Sequence, residues 1–362
     1  MRVALVAPLV SPIREPQAGG SQAFVSDLAR GLARRGHEVH VYAAAGSEIP
    51  GVTVIDTGVD PRSLVATLYR ASGTAARDQD AAAPAFAAVY SRVRQTRYDV
   101  IHNHAFDAPA IGLATDLAAP VVHTVHLPPD PAVADALRGA ARGNRPPALA
   151  GVSAFQARAW SRAVRVDAIL PPYVPTQAIG WSRDAGARAV FAGRLSPEKG
   201  AAEAIDIARA AGVAIDVYGD AYDPAYAREQ IDPRRGLPGV TVHGGVPRTA
   251  LWRAMSRAAV VLCPSRWDEP FGMAAAEAAA CGTPVVAFRR GGLGEIVVPG
   301  VTGFLVEPGD LRASADAVRE VTRLSRPACR GHAERHLDLE RSLDAHEQLY
   351  GRVVSAAAAI GG

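Results

Sequence analysis

Short apolar runs alternate with helical stretches along this chain, and a proline-rich break splits them into two similar series. Residues 2–7, 38–43, 52–55, 98–102, 121–125 and 148–152 read as strands before the break. Residues 187–191, 213–218, 240–243, 259–263, 284–288 and 303–306 read as strands after it. Apolar strands with helical connections predict parallel sheets covered on both faces. The break, residues 167–181, contains ILPPYVPTQAIGW and predicts a stiff extended link. The expected architecture is α/β: two Rossmann-like, doubly wound domains facing a cleft, with a boundary near Pro172. With 49% hydrophobic residues in a chain of 362, each half can bury a core of its own.

The opening unit is a strand, a proline-rich loop over 8–20 ending in Gly19-Gly20, a helix over 21–35 with Ser21 as candidate N-cap, and a second strand. The glycine pair either brings backbone close to a phosphate or is a plain loop–helix junction. Helices are expected over 62–71, 84–97 and 153–164, with a short one inside 127–147. His102 and His104 end one strand; His123 and His126 end the next. Ligands of open α/β sheets bind at strand carboxyl ends, so these histidines are candidates to line the cleft. The same spacing suits a metal, but no carboxylate or cysteine lies nearby in sequence, so no metal is predicted.

After the break, CPSRWDEPFGMAAAEAAACGTP (residues 263–284) concentrates the chemistry. Phe271-Gly272 opens an alanine-rich helix. A helix opened by glycine offers bare N–H groups and a partial positive charge to an anion. Glu277 lies more than a turn inside, where its carboxylate can accept hydrogen bonds from a ribose diol. Glu269, eight positions earlier, can reach what lies beyond the phosphates. Ribose, diphosphate and sugar would take such contacts in that order. Arg194 and Lys199, the chain's single lysine, share one loop after a strand. Fixed cations in such a loop can stabilise a departing diphosphate, the arginine gripping two oxygens and the lysine acting as a point charge; on the residues alone a plain surface loop is the alternative.

This segment resembles the Glu-x7-Glu signature of retaining GT-B glycosyltransferases of family 4. The resemblance extends to FAGRLSPEKG (191–200) and GTPVVAFRRGGLGEIVVPGVTGFLVEPGD (282–310), and more loosely to the whole chain. It implies a metal-independent transfer of sugar from a nucleotide diphosphate sugar to an acceptor hydroxyl, with retention and a front-face mechanism. It implies no cofactor beyond that co-substrate, and a nucleoside diphosphate product. Catalytic roles fall on His126, Arg194, Lys199 and Glu269. Donor contacts fall on Gly19, Gly20, Phe271, Gly272, Met273, Glu277, Gly291, Gly292 and Leu293. Backbone groups of His243, Gly244 and Val246 are expected to hold the base. The resemblance also sends the last helix, about 339–362, back onto residues 1–172, leaving 173–338 as the nucleotide-sugar domain. Gly294 stands where relatives often have proline.

Other readings are weighed on the residues. A GT-B nucleotide-sugar epimerase shares the donor contacts without an acceptor, and a non-catalytic sugar-binding protein would not need Arg194, Lys199 and Glu269 together. A pyridoxal phosphate enzyme needs a lysine of its own. A dinucleotide oxidoreductase needs Gly-x-Gly-x-x-Gly after a strand, which is absent. A net charge of +3 with 36 acidic residues interspersed is no nucleic-acid footprint. Asp78-Gln79-Asp80 mimics the metal motif of another glycosyltransferase class, but follows no apolar strand. Cys263, Cys281 and Cys329 match neither a disulfide framework nor a zinc site. With no signal sequence and no long apolar run, a cytoplasmic location is expected. Arg138, Arg142 and Arg145 read as a solvated face; contact with an anionic lipid surface is the alternative. The acceptor, whether small molecule, glycan or lipid-linked, should meet the loops at 8–20 and 127–147.

Overall fold

The computed structural model describes residues 1–68, 78 and 80–361. Thirteen strands form two sheets among them. The first holds β1 (Arg2–Val6), β2 (Glu38–Ala43), β3 (Thr53–Asp56), β4 (Val100–Asn103), β5 (Val121–Val125), β6 (Ala148–Gly151) and β7 (Ala168–Ile169), in the order β3-β2-β1-β4-β5-β6-β7. The second holds β8 (Ala189–Ala192), β9 (Ile215–Tyr218), β10 (Val240–Gly244), β11 (Val260–Cys263), β12 (Val285–Phe288) and β13 (Gly303–Val306), in the order β10-β9-β8-β11-β12-β13. Every strand pairing is parallel. Val3, Leu5 and Val6 in β1 and all four residues of β11 are buried, as parallel strands covered by helices on both faces require.

In each sheet the strand order reverses once, between β1 and β4 and between β8 and β11. A crevice forms outside the carboxyl ends of strands at such a switch point. The Gly19-Gly20 loop follows β1, His104 follows β4, Arg194 and Lys199 follow β8, and Glu269 follows β11. Topology alone therefore brings most of the candidate residues to two facing edges.

Several local expectations change. The first helix is Gly20–Arg34, with Gly19 at its N-cap in extended backbone. Ser21 is not the cap; its hydroxyl donates to Gln22 Oε1. A 3-10 turn over Pro61–Thr67 replaces the start of the helix expected over 62–71, and residues 69–71 lie outside the described ones. The helix opened by Ser153, which accepts from Gln156 N, ends at Trp160 rather than 164. β7 was not expected, because two residues in a proline-rich stretch carry no periodicity.

The chain crosses between the sheets twice, and the crossings lie side by side. Val174 N–H donates to Leu337 O, and Leu339 N–H donates to Val174 O. Arg330, 7% exposed, donates to the carbonyls of Thr176, Ile179 and Ala280 and through Nε to Glu334 Oε1, so its fork is shared between three backbone acceptors and one carboxylate. Beyond the second crossing, the helix Leu339–Gly361 packs on the first half. Leu343 and Tyr350 are fully buried there, with Leu343 lying where a side chain at Gly31 would stand. Arg35 pairs with Glu340, Asp344 and Glu347 along the rim of that contact.

Candidate active site

Lys199 closes the 3-10 turn Pro197–Lys199 after β8, and Glu269 lies in the loop after β11. Lys199 Nζ stands 2.8 Å from both Glu269 oxygens. Ser265 Oγ donates to Glu269 Oε2 at 3.1 Å and Trp267 Nε1 at 2.9 Å. Burial works to raise the Glu269 pKa, but the Lys199 charge and these three donors outweigh it and hold the carboxyl below its ordinary value. The pair is thus charged on both sides. Lys199 also lies 5.0 Å from the Trp267 ring centre, which fixes the ammonium from a second direction. Arg194 is steadied separately. Its Nη2 donates to Glu198 Oε1 at 3.2 Å, and its guanidinium lies 4.1 Å from the Tyr222 ring centre.

Gly272 caps the helix Met273–Ala280 with φ 108°, a conformation a side chain resists. A Cβ there would come 2.8 Å from Leu293 Cδ2. Gly291 is held more tightly: φ is 57°, and a Cβ would come 2.2 Å from Glu269 O. Gly292 N–H donates to that same carbonyl at 2.6 Å. So Gly291, Gly292 and Leu293 lie directly on the Glu269–Gly272 backbone. Their bare Cα atoms are explained first by this close approach, whatever they offer a sugar. The Phe271 side chain is 5% exposed and packs on Tyr173, leaving its backbone as the part free to meet a ligand. Met273 touches the packed clusters of both halves and faces Gly20, where a Cβ would come 3.1 Å from its sulfur.

Glu277 is buried, and Arg248 Nε and Nη2 both donate to its Oε1, at 3.1 and 2.8 Å. Arg248 Nη1 donates to Asp27 Oδ2 at 2.8 Å, across to the first half. Burial alone would lower the Arg248 pKa, but Glu277 and Asp27 more than offset it, and the guanidinium is held above its ordinary value. Burial raises the Asp27 pKa against the opposing pull of Arg248. Neither Arg248 nor Asp27 was singled out from sequence. Nor was Glu295, whose carboxylate accepts from Ala154 N (2.9 Å) and Phe155 N (2.6 Å) at the start of the 154–160 helix. Beside it, Ser153 Oγ donates to Pro270 O at 2.6 Å.

On the outer side of the second sheet, His243 stacks on Tyr218 with ring centres 4.5 Å apart, and its Nε2 lies 2.9 Å from Asp216 Oδ1. The backbone beside it is partly committed too: Gly245 N–H donates to Asp220 Oδ1 at 2.8 Å, and Gly244 O accepts from Gly219 N–H at 2.9 Å. Gly244 takes φ 79°, and Val246 is half-buried.

The first half contributes a packed group of histidines. His102 and His104 are fully buried and do not line an open cleft, which corrects the expectation. His102 Nδ1 lies 2.7 Å from Tyr350 Oη and its Nε2 2.7 Å from Thr124 Oγ1. His104 Nδ1 lies 3.0 Å from His126 Nε2. Side chains two apart on a strand share a face. Here that face is covered by the first and last helices, through Phe24 and His346. His126 alone of the three is half-exposed. Burial pushes His102 and His104 well below the ordinary histidine value and His126 to about 3, with neighbouring histidines adding to it. All three are therefore neutral near pH 7. Of the Asp78-Gln79-Asp80 triplet, Gln79 lies outside the described residues, and Asp78 accepts from Ala81 N. Among the described residues no helix is long and apolar enough to cross a membrane.

Comparison with known proteins divides the chain at the same break. Residues 18–176 match the family described as Glycosyltransferase Family 4, and residues 182–334 match Glycosyl transferases group 1. The D-inositol 3-phosphate glycosyltransferase of Mycolicibacterium smegmatis is 33% identical over 88% of this chain and 83% of its own. The protein of the same name from Kribbella flavida is 30% identical over 88% and 87%. Among solved structures, a glycosyltransferase involved in avilamycin A biosynthesis matches with TM-score 0.73 and 26% identity, over 98% of both chains. The Anabaena protein HepE in complex with UDP-glucose matches in fold, with TM-score 0.73 and 21% identity over 98% of this chain and 100% of that one.

Proposed function

The chain belongs to the group 1 glycosyltransferases of family 4, with the GT-B fold, and from that premise we propose that it moves a sugar from a nucleotide diphosphate sugar to an acceptor hydroxyl, retaining the anomeric configuration and using no metal. The observation that carries this reading is the Lys199–Glu269 pair set beside the bare helix start at Gly272. An ammonium, the Arg194 guanidinium and helix N–H groups suit a diphosphate whose charge grows as the glycosidic bond breaks. Glu269, kept ionised by its donors, is an acceptor for sugar hydroxyls and a counter-charge to an oxocarbenium-like centre. Glu277 takes the ribose, the 243–246 backbone takes the base, and neutral His126 offers one hydrogen bond to the sugar. The leaving phosphate oxygen takes the acceptor's proton. Residues 1–172 with 339–362 form the acceptor side, and 173–338 the donor side.

UDP-glucose in a fold neighbour makes that nucleotide the first donor to try. The names of the relatives make D-inositol 3-phosphate the first acceptor. The deciding experiment is a thermal-shift screen of UDP-, GDP-, ADP- and TDP-sugars. One class should raise the melting temperature by several degrees, because a ligand at about 100 times its Kd adds about 2.7 kcal/mol. No shift with any of them overturns the reading.

A further inference from the structure

The arrangement around Glu277 is asymmetric. Both Arg248 donors converge on Oε1, and no group among the described residues donates to Oε2. The guanidinium is buried, lies 4.8 Å from the Trp252 ring centre, and is braced at its other end by Asp27. Its backbone N–H donates to Glu15 Oε2 at 2.9 Å. The corner thus has two carboxylates on one guanidinium and a third on the backbone N–H of the same residue, a surplus of acceptors. It favours a ligand that donates hydrogen bonds and disfavours one that brings negative charge. A ribose diol fits; a phosphate does not.

We propose that Arg248 is a positioning residue that pins one oxygen of Glu277 so that the other is presented to the ribose hydroxyls, and that through Asp27 it ties donor binding to the seating of the first domain. The proposal rests on the reading of Glu277 as the ribose acceptor. Planarity matters here. Only a fork can hold one carboxylate oxygen with two N–H groups while a third reaches Asp27. A lysine keeps the charge but cannot fix the carboxylate's rotation.

The test compares the best-binding of UDP-, GDP-, ADP- and TDP-glucose with its counterpart lacking the ribose hydroxyls, in the full-length chain. Wild type should prefer the hydroxylated donor about 10- to 100-fold in kcat/KM, the size of one or two charge-assisted hydrogen bonds. Arg248→Lys should lose most of that preference, through a raised donor KM with kcat changed far less. Glu277→Gln should do the same, and the double variant should be no worse than either single one. Asp27→Leu, which leaves Arg248 on Glu277, should keep the preference while raising the donor KM. It also serves if Arg248→Lys does not fold. A wild type without preference sinks the ribose reading of Glu277 and this inference with it. A preference that vanishes in Glu277→Gln but survives in Arg248→Lys sinks the inference alone. An unchanged KM in Asp27→Leu removes the link to the first domain.

Discussion

The two halves face each other with opposite chemistry. In the second half, charge is met by charge: Lys199 with Glu269, Arg194 with Glu198, Arg248 with Glu277. In the first half, histidines pack at a tilt against one another and edge-on against Phe24, and stay neutral. A set of paired charges can be re-partnered by a charged ligand at modest cost, because each group is already oriented. A buried neutral cluster cannot. Its proton affinity is suppressed by the same packing that holds it in place. The contrast fits the proposal that leaving-group chemistry belongs to the second half and shape to the first.

The sharpest way to break this comparison is Lys199→Ala. Removing the ammonium should lower kcat by roughly 10²–10³-fold, as loss of one preorganised donor does. Circular dichroism should show the fold intact, since Ser265 and Trp267 still donate to Glu269 when the ammonium is removed. A rate within a few-fold of wild type, followed by nucleoside diphosphate release, would place the chemistry elsewhere.

Acid should separate the halves next. An unfolded histidine takes its proton near pH 6.5. Burial holds His123 and His126 at about 3 and His346 at about 4, and holds His102 and His104 well below the ordinary value. Between those values the unfolded chain binds more protons than the folded one, so stability falls as pH drops below about 6.5. His346 alone accounts for on the order of 3 kcal/mol by pH 4. The melting temperature should therefore fall steeply from pH 6 to 4, with the first half unfolding first by hydrogen exchange. A flat profile would show that the histidines are not held neutral. The Lys199–Glu269 pair acts lower, since a carboxyl below its ordinary value keeps its contribution until pH falls through that value.

The smallest expected effect is from EDTA. If cations and helix N–H groups replace a metal, turnover should stay within about twofold after chelation. Complete loss, restored by Mg²⁺ or Zn²⁺, would move the leaving-group chemistry off Lys199 and Arg194.

What the sequence made legible follows the range of the interactions. Glu269, Gly272 and Glu277 lie close together in one block, so their nearness was legible, whereas Lys199, 70 residues from Glu269, was marked by the likeness of its loop to a family block. The alternation of apolar runs with helices was enough for two parallel sheets. Arg248 and Asp27 were invisible because their bond joins residues 221 apart, and nothing local marks either. His102 was misplaced for a different reason. Its position at a strand's carboxyl end was read correctly, but the face it shares with His104 is decided by a helix more than 200 residues later, through Tyr350. Gly291 was legible as a special glycine, but not that its neighbour would be the Glu269 backbone.

The paired crossings at Val174 and Leu337–Leu339 have a mechanical consequence. Two adjacent seams on one edge define a single axis, like the spine of a book, and any opening about it must first break the Asp27–Arg248 and Ser153–Pro270 contacts between the covers. A protease nick in residues 175–180 would cut one seam and leave the covers bound by the other.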